Sequence, residues 1–267
     1  MTEGAAVAAS NLLWACWHEG RRLSALPEDI RPRARAEGYA IQAQLESRSA
    51  APLFGWKIAA TSAAGQAHIN VDGPLAGRLL REKVFESGTT LPFGANHMRV
   101  GEAEFAFRMG RELPPRADEY RVDEVLDAVG GLHPAIEIPD SRYDDFTIVG
   151  AAQLIADNAC AHLFVLGPEA PSLWRDIDLV AHAVTGTVAG RQNRTLMHEG
   201  RGANVLGDPR VALTWLVNEL SGLGIPLKAG EVVTTGTCLT PLPIAPGDEM
   251  TADFGALGRV AVSVGAT

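Results

Sequence analysis

The first fifty residues show apolar positions at helical spacing. Residues 5–22 and 32–48 carry this pattern, with polar positions between the apolar ones. The second segment begins with Pro32, a residue suited to the first turn of a helix because that position needs no backbone N–H donor. The pattern therefore predicts a helical N-terminal portion over residues 1–50.

From residue 51 onward the apolar positions fall in short runs, broken by Gly and Pro. Runs of this kind are typical of strands. The predicted strands cover residues 54–60, 99–109, 135–138, 179–188, 231–235 and 250–264. Residues 51–267 are thus predicted to form a mixed, β-rich portion. Helices that lead and strands that follow indicate an α+β fold rather than alternating βαβ units.

Two predicted helices interrupt the strands. One covers residues 122–128. The other begins at Asp208, a suitable N-cap, followed by Pro209, and it ends at Gly222 or Gly224. No internal repeat or low-complexity tract separates the β-rich portion into smaller units.

The predicted strand around residues 100–109 has two unlike faces. Glu102 and Glu104 share one face, because alternate residues of a strand point the same way. The other face is apolar, with Ala103, Phe105, Phe107 and Met109. Neighbouring carboxylates repel each other, and a hard divalent cation removes that conflict. The alternative is a solvated strand face that carries two unremarkable glutamates.

A third glutamate strengthens the metal hypothesis. Glu137 lies inside an apolar run, between Ile136 and Ile138. A carboxylate is costly to bury there unless it is paired or coordinated. Three glutamates on one divalent cation would leave positions open for water and substrate, as in a catalytic metal site. The alternative is an ion pair between Glu137 and an arginine such as Arg142.

Lys57 is a candidate cation for an acidic substrate. It points away from the apolar face that Phe54, Trp56, Ile58 and Ala60 would form. Its neighbours on its own side, Gly55 and Ala59, are small and leave room for a ligand. An ammonium in such a place could bind a carboxylate or polarise a carbonyl. The alternative is an ordinary exposed lysine.

Other common catalytic motifs are absent from the sequence. The seven histidines show no HExxH or similar zinc spacing, and there is no P-loop, Rossmann GxGxxG or GxSxG. His133 is the histidine expected nearest to Glu137, as a packed structural residue. Cys16, Cys160 and Cys238 form no CxxC pair, which favours a reducing compartment.

Net charge and the lengths of the apolar runs limit the classes of partner that the protein could bind. The 267 residues carry a formal net charge of −9, which argues against nucleic acid and anionic membranes. The apolar stretch at residues 5–17 lacks a basic region before it and is interpreted as an amphipathic helix, not a signal peptide. No run reaches the ~18 apolar residues of a membrane span. We expect no membrane partner and a cytoplasmic location.

Seven short stretches occur in a specific order along the chain. Their order and spacing resemble the fumarylacetoacetate hydrolase superfamily, in its branch of 2-keto-4-pentenoate hydratases and 4-oxalocrotonate decarboxylases. The similarity extends from about Gly55 to Val264. The stretches are GWKIAATS (55–62), VDGP (71–74), EAE (102–104), PAIEI (134–138), IADNA (155–159), LKAGEVV (227–233) and IAPGD with FGALG (244–258).

The resemblance implies a site, a cofactor and an assembly. It implies Mg²⁺ or Mn²⁺ as the cofactor and a homo-oligomer as the assembly. The implied residues are Glu102, Glu104 and Glu137 for the metal, Lys57 and Asp72 for catalysis, and Lys57, Thr61, Asn158, Cys160 and Thr235 for substrate binding. Two departures leave the substrate open: Leu75 and Cys160 stand where relatives often have an acidic residue and a serine.

The resemblance also implies a reaction. We expect a metal-dependent lyase that adds water to a 2-hydroxy-2,4-dienoate, giving a 4-hydroxy-2-oxo acid in the catabolism of aromatic compounds. The alternative is a 2-oxo-3-hexenedioate (4-oxalocrotonate) decarboxylase. Less favoured are an acylpyruvate C–C hydrolase and a non-catalytic member that binds a small 2-oxo or 2-hydroxydienoic acid.

Overall fold

Two β-sheets form the body of the protein. The computed structural model describes residues 1–190 and 194–265. The strands are β1 (Gly55–Ala59), β2 (Leu75–Leu79), β3 (Val84–Glu86), β4 (Thr90–Leu91), β5 (Val100–Met109), β6 (Val129–Ile138), β7 (Leu163–Leu166), β8 (Ala183–Ala189), β9 (Thr195–Arg201), β10 (Val232–Thr237), β11 (Leu242–Pro243), β12 (Glu249–Asp253) and β13 (Arg259–Val264).

The larger sheet carries the strands that the sequence singled out. Its order is β2-β1-β10-β5-β6-β7-β3, with β11 paired to β5, and the second sheet runs β4-β13-β12-β8-β9. The helices are α1 (Glu3–Glu19), α2 (Arg35–Ala43), α3 (Ala63–His68), α4 (Val122–Ala128), α5 (Ala151–Ala156) and α6 (Pro209–Gly222). The α+β prediction is confirmed: N-terminal helices precede a sheet-rich body.

The N-terminal helices pack onto the body rather than beside it. Helix α1 begins after Thr2, whose side chain accepts from the Ala5 N–H. A small apolar cluster joins α1 and α2 to Tyr143 and Ala156 of the body. Helix α2 is shorter than predicted, because the chain tightens into a 3₁₀ turn at Glu46–Arg48.

The hairpin at the C-terminal end corrects another prediction. Residues 250–264 were expected to form one strand, but β12 and β13 pair antiparallel with a turn between them. Gly258 has a φ of 109°, and its carbonyl accepts the Phe254 N–H at 2.9 Å. The glycines of the FGALG stretch allow this reversal of the chain. Because the apolar pattern continues through the turn, it predicted one strand where there are two.

Strand β6 begins earlier than predicted. It starts at Val129, six positions before the expected start, and includes Gly130 and Gly131. A Cβ on Gly130 would approach the Gly110 Cα to 3.0 Å. Close backbone approach therefore explains the glycines, which have no side chain and hid the strand pattern.

Strand β5 lies in the centre of the sheet. It pairs with β10 on one side and β6 on the other. Phe105 and Phe107 are fully buried, as predicted, and the ring of Phe105 meets that of Phe254 edge to face at 5.1 Å. This packing fixes which face of β5 points away from the main core, and therefore where its glutamates point.

The buried Phe105 ring yields a stability prediction. We expect Phe105→Ala to lower the free energy of unfolding by roughly 3–5 kcal/mol, the range for loss of a fully buried ring. The half-buried Phe85, on edge strand β3, provides the control: Phe85→Ala should cost less than half as much. Urea unfolding of the three proteins measures both. A loss of under about 1 kcal/mol for Phe105→Ala would contradict the packing described.

Candidate active site

Three glutamates meet where β5 and β6 pair. The register places Glu102 opposite Glu137 and Glu104 opposite Ala135, two residues along. One carboxylate oxygen from each glutamate lies within 4.8 Å of the other two. Glu104 and Glu137 are 0% and 1% exposed, and Glu102 is half-buried. The strand geometry thus assembles the predicted acidic cluster.

Glu104 is held by the neighbouring strand β10. Thr234 donates through its hydroxyl, and Gly236 through its N–H at 2.9 Å, to the same oxygen, Oε2. The pairing of β10 with β5 is irregular between Thr234 and Thr237, where the strand bulges. Gly236 has a φ of 94°, and a Cβ there would lie 2.1 Å from the Thr61 hydroxyl, so glycine is required.

The remaining carboxylate oxygens fit a divalent cation. Oε1 of Glu104 and Oε2 of Glu137 are buried without a hydrogen-bond partner, whereas Oε1 of Glu137 lies 3.0 Å from the Lys57 ammonium. Buried polar atoms are rarely left unpaired, so unpartnered oxygens that converge indicate a missing ligand. Carboxylates are the ligands that hard divalent cations prefer. The cluster therefore has the composition of a divalent metal site.

Lys57 completes the cluster from β1. It is 3% exposed, which excludes an ordinary surface lysine. Its Nζ lies 3.0 Å from Oε1 of Glu137 and donates to the Ala159 carbonyl at 2.9 Å. The opposing residue on β2 is Gly77, where a Cβ would approach the Lys57 stem to 3.0 Å. Glu137 is thus paired with this lysine.

The predicted alternative partner of Glu137 and the predicted extent of the apolar face on β1 are both wrong. Arg142 does not reach Glu137, because its guanidinium binds Asp157 instead. The face opposite Lys57 is also shorter than predicted. Trp56 and Ile58 are buried, but Phe54 packs in a separate cluster and Ala60 lies beyond the strand with a φ of 59°.

Burial and mutual charge together leave the pKa values of the three glutamates and Lys57 above their usual values. Burial, and then the charge of Glu137, raises the pKa of Glu102 to about 7 and also raises the pKa of Glu104. Burial likewise raises the pKa of Glu137, although Lys57 opposes the shift. Burial lowers the pKa of Lys57, but the three carboxylates outweigh it and leave that pKa above its usual value. A bound cation favours the ionised form of the carboxylates and therefore opposes these upward shifts of pKa.

A cavity of about 720 Å³ opens onto the cluster. Lys57 and Glu102 line it, together with the predicted residues Thr61 and Cys160. Burial raises the pKa of the Cys160 thiol to about 12, so the thiol is neutral at pH 7 and is not a nucleophile. The cavity thus joins the charged cluster to a space that accepts a small molecule.

Three other predicted residues do not line this cavity. Asn158 is buried and clamps the backbone of Arg78 through both its side-chain atoms, at 2.6 and 2.8 Å. Thr235 donates to the Phe105 carbonyl on the side of β10 opposite Thr234. The side chain of Asp72 is 91% exposed, 4.0 Å from Arg35. Its catalytic role stays a prediction that the structure of one chain does not support.

Three residues that were not predicted from the sequence also shape the site. Thr234 and Gly236 hold Glu104, and His68 on α3 lines the cavity. The VVTTGT stretch offered a signal, because a glycine inside a strand pattern often marks a bulge. His133, by contrast, is a packed structural histidine as expected, with Nδ1 3.0 Å from the Gly167 carbonyl.

Comparison with known proteins identifies the family. The family described as "Fumarylacetoacetate (FAA) hydrolase C-terminal" matches residues 42–265, most of the chain. The chain belongs to the fumarylacetoacetate hydrolase family. This confirms the resemblance drawn from the seven stretches, including the EAE and PAIEI stretches that carry the three glutamates.

Several members of the fumarylacetoacetate hydrolase family are similar over most of their length. A 2-keto-4-pentenoate hydratase of Paraburkholderia xenovorans is 31% identical over 94% of this chain and 92% of its own. A 2-hydroxyhexa-2,4-dienoate hydratase of Comamonas testosteroni is 32% identical over 77% and 75%. The solved 4-oxalocrotonate decarboxylase of Pseudomonas putida G7, complexed with magnesium and adipate, is 24% identical with a TM-score of 0.88 over 99% and 98%.

The fold is therefore that of the fumarylacetoacetate hydrolase family throughout. The solved decarboxylase supports this at the level of architecture, since its identity to this chain is low. Across residues 1–190 and 194–265, no helix combines the length and the apolar character that a bilayer span needs.

Proposed function

We propose that the chain is a divalent-metal-dependent hydratase. It would add water to a 2-hydroxy-2,4-dienoate and release a 4-hydroxy-2-oxo acid, as a lyase in the catabolism of aromatic compounds. The observation that carries the proposal is the buried group of Glu102, Glu104, Glu137 and Lys57 at one end of a cavity. Similar proteins named hydratases, at 31–32% identity, support the reaction type.

The three glutamates would hold Mg²⁺ or Mn²⁺. Both cations prefer oxygen ligands, and the described ligands are carboxylates alone. The similar decarboxylase was solved with magnesium, which supports the same class of cation. When bound, such a cation supplies Lewis-acid polarisation of the 2-oxo acid. The chain supplies the arrangement: Thr234 and Gly236 fix Glu104, so its free oxygen has one orientation.

Lys57 would offset the negative charge at the site. Three carboxylates exceed the charge of one divalent cation, and the substrate brings a further carboxylate. The ammonium is already fixed by the Ala159 carbonyl and Glu137, so it needs little reorganisation to bind an anion. Lys57 would therefore hold the substrate carboxylate or the C2 oxygen.

Water addition also requires a proton to move. On the basis of the resemblance, Asp72 is proposed as the general acid or base. Thr61, which faces the cavity and is 5% exposed, is proposed to orient the substrate or the attacking water. The resemblance also supports a homo-oligomeric assembly of the chain.

The second candidate is decarboxylation of 2-oxo-3-hexenedioate. It is favoured by the solved decarboxylase, whose fold matches nearly the whole chain. Both reactions build up negative charge at the C2 oxygen, so both use the same glutamates and lysine. Product analysis rather than the cluster itself separates them.

Incubation with each substrate tests the proposal. We expect the chain with Mg²⁺ to convert 2-hydroxypenta-2,4-dienoate to a 4-hydroxy-2-oxo acid, detected by mass spectrometry as a gain of one water. 2-Oxo-3-hexenedioate should release CO₂ no faster than in a mixture without protein. Rapid CO₂ release without water addition would favour the decarboxylase. Inertness toward both acids would reject either assignment.

A further inference from the structure

The cavity is larger than the proposed reaction centre needs. A five-carbon dienoate has about eight non-hydrogen atoms and fills about 240 Å³, at roughly 30 Å³ for each water-sized group. The cavity measures about 720 Å³. A cation with its remaining waters occupies part of the difference, but not most of it. Space therefore remains beyond the reacting carbons.

Five of the residues that line the cavity are bulky and apolar. Leu75 and Leu154 are fully buried, and Ile69, Met98 and Phe146 are partly buried and pack against the main core. The Phe146 ring meets the exposed His68 edge to face, with centroids 5.9 Å apart. Because His68 is exposed and Lys57 is buried, this pair marks the rim, away from the charged cluster. We call these five apolar residues the tail wall.

The tail wall offers no partner for a second substrate carboxylate. Among the lining residues that the structure describes, Lys57 is the single lysine or arginine, and the proposed function already assigns it to the C1 carboxylate or the C2 oxygen. At the rim, His68 is the other lining side chain that can carry a positive charge. It lies close to the Asp145 carboxyl, whose pKa is lowered by hydrogen bonds from Thr147 and then by the charge of His68, so the Asp145 anion offsets this positive charge.

We infer that the substrate carries an uncharged, apolar substituent at the end remote from C1, and that the tail wall binds this substituent. This inference rests on the proposed hydratase function and narrows its substrate class. It excludes dienedioates, which carry a carboxylate at that end, and it favours alkyl or aryl dienoates over the unsubstituted acid. Each methylene buried in an apolar pocket changes kcat/KM by roughly 10–200-fold.

A substrate series tests this inference. The probes are 2-hydroxypenta-2,4-dienoate, its 5-methyl and 5-phenyl derivatives, and 2-hydroxyhexa-2,4-dienedioate. We expect kcat/KM to rise at least tenfold from the unsubstituted acid to the 5-phenyl derivative, and to fall at least tenfold for the dienedioate. A best rate with the unsubstituted acid or the dienedioate overturns the inference but leaves the hydratase intact. No water addition to any probe overturns the proposed function instead.

Binding of unreactive acids tests the tail wall independently of the proposed hydratase reaction. Calorimetry on the Mg²⁺-loaded chain compares 2-oxopentanoate, 2-oxo-5-phenylpentanoate and 2-oxohexanedioate. The phenyl acid should bind at least tenfold more tightly than the other two, whichever reaction the chain catalyses. Equal affinities would reject the tail wall as a specificity element.

Paired variants assign the effect to the tail wall. Phe146→Ala should lower the ratio of kcat/KM for the phenyl substrate over the unsubstituted one by about tenfold. Phe146→Leu should restore most of that ratio, because it keeps an apolar side chain. Ile148→Ala is the matched control: Ile148 lies two residues away, is 71% exposed and does not line the cavity. An unchanged ratio in a folded Phe146→Ala protein would contradict the assignment.

Discussion

Removing the divalent cation, or replacing Glu104 by glutamine, is expected to abolish turnover. Glu104→Gln keeps the side-chain shape and an oxygen for Thr234 and Gly236, but it removes one charge from the cluster. Substitution of a residue that only supports a metal ligand typically lowers affinity or activity ~10–100-fold. Substitution of the ligand itself should cause a larger loss. We therefore expect kcat/KM to fall by about 10³-fold or more.

The same variant should be at least as stable as the parent without metal. In the metal-free cluster Glu104 and Glu137 are buried and Glu102 is half-buried, and burial raises the pKa of each. Glu104→Gln removes a group whose ionisation burial penalises, so its stability relative to the parent should increase as the pH rises in metal-free buffer. Thermal unfolding with and without Mg²⁺ measures this, and calorimetry measures the affinity. Gain of stability with loss of activity would identify Glu104 as a ligand rather than a packing residue.

A surface carboxylate supplies the control for that experiment. Glu199 is exposed on β9, and Glu199→Gln should leave affinity, turnover and stability unchanged. If EDTA leaves the parent chain fully active, or if Glu104→Gln binds the cation as tightly as the parent does, the metal assignment is wrong.

Lys57→Met should separate substrate binding from metal binding. Methionine roughly keeps the stem and removes the ammonium. Removing a nearby positive charge does not weaken the cation site, so metal affinity should be kept or increased. kcat/KM should fall by ~10²-fold or more, the scale for loss of one transition-state donor. Steady-state kinetics and metal titration on the Mg²⁺-loaded protein measure both quantities.

The stability of the lysine variant needs a control of its own. Without metal, Glu137 loses its buried partner charge, a loss of about 3–5 kcal/mol for such pairs. The kinetic comparison is therefore made on metal-loaded protein that is shown to be folded. Lys228 is exposed, and Lys228→Met should change neither rate nor affinity. Full turnover by a folded Lys57→Met protein, with unchanged KM, would remove Lys57 from the mechanism.

The alternation of side chains along a strand explains why the three glutamates of the site could be predicted from the sequence. A period of two placed Glu102 and Glu104 opposite the Phe105 face, and an apolar run marked Glu137 as buried. The pairing register of β5 with β6 is a long-range property, so no local pattern could show that Lys57 meets Glu137. The metal cluster was therefore predictable as a set of residues, and its ion pair was not.

Irregular backbone explains why strand parity could not give the surroundings of every predicted site residue. A bulge in β10 gives the contact with Glu104 to Thr234 and Gly236, so parity alone could not assign the role of Thr235. Asn158 lies in a turn with left-handed backbone that continues through Ala159 and Cys160, and its side chain hydrogen-bonds to the backbone of Arg78. Short motifs identify residue types well, but the direction of a side chain depends on such turns.

The turn formed by Asn158, Ala159 and Cys160, whose Ala159 carbonyl accepts from Lys57, has a strained backbone. Asn158, Ala159 and Cys160 all adopt left-handed φ angles of 50–61°, and none is glycine. Each such residue costs roughly 1–2 kcal/mol of strain, offset by contacts elsewhere. Ala159→Gly would relieve backbone strain in the folded state, but it would also increase the conformational entropy of the unfolded chain. We therefore expect it to change the free energy of unfolding little. The steric and entropic effects oppose each other, so the turn that carries this carbonyl can keep its strained residues at little net cost in stability.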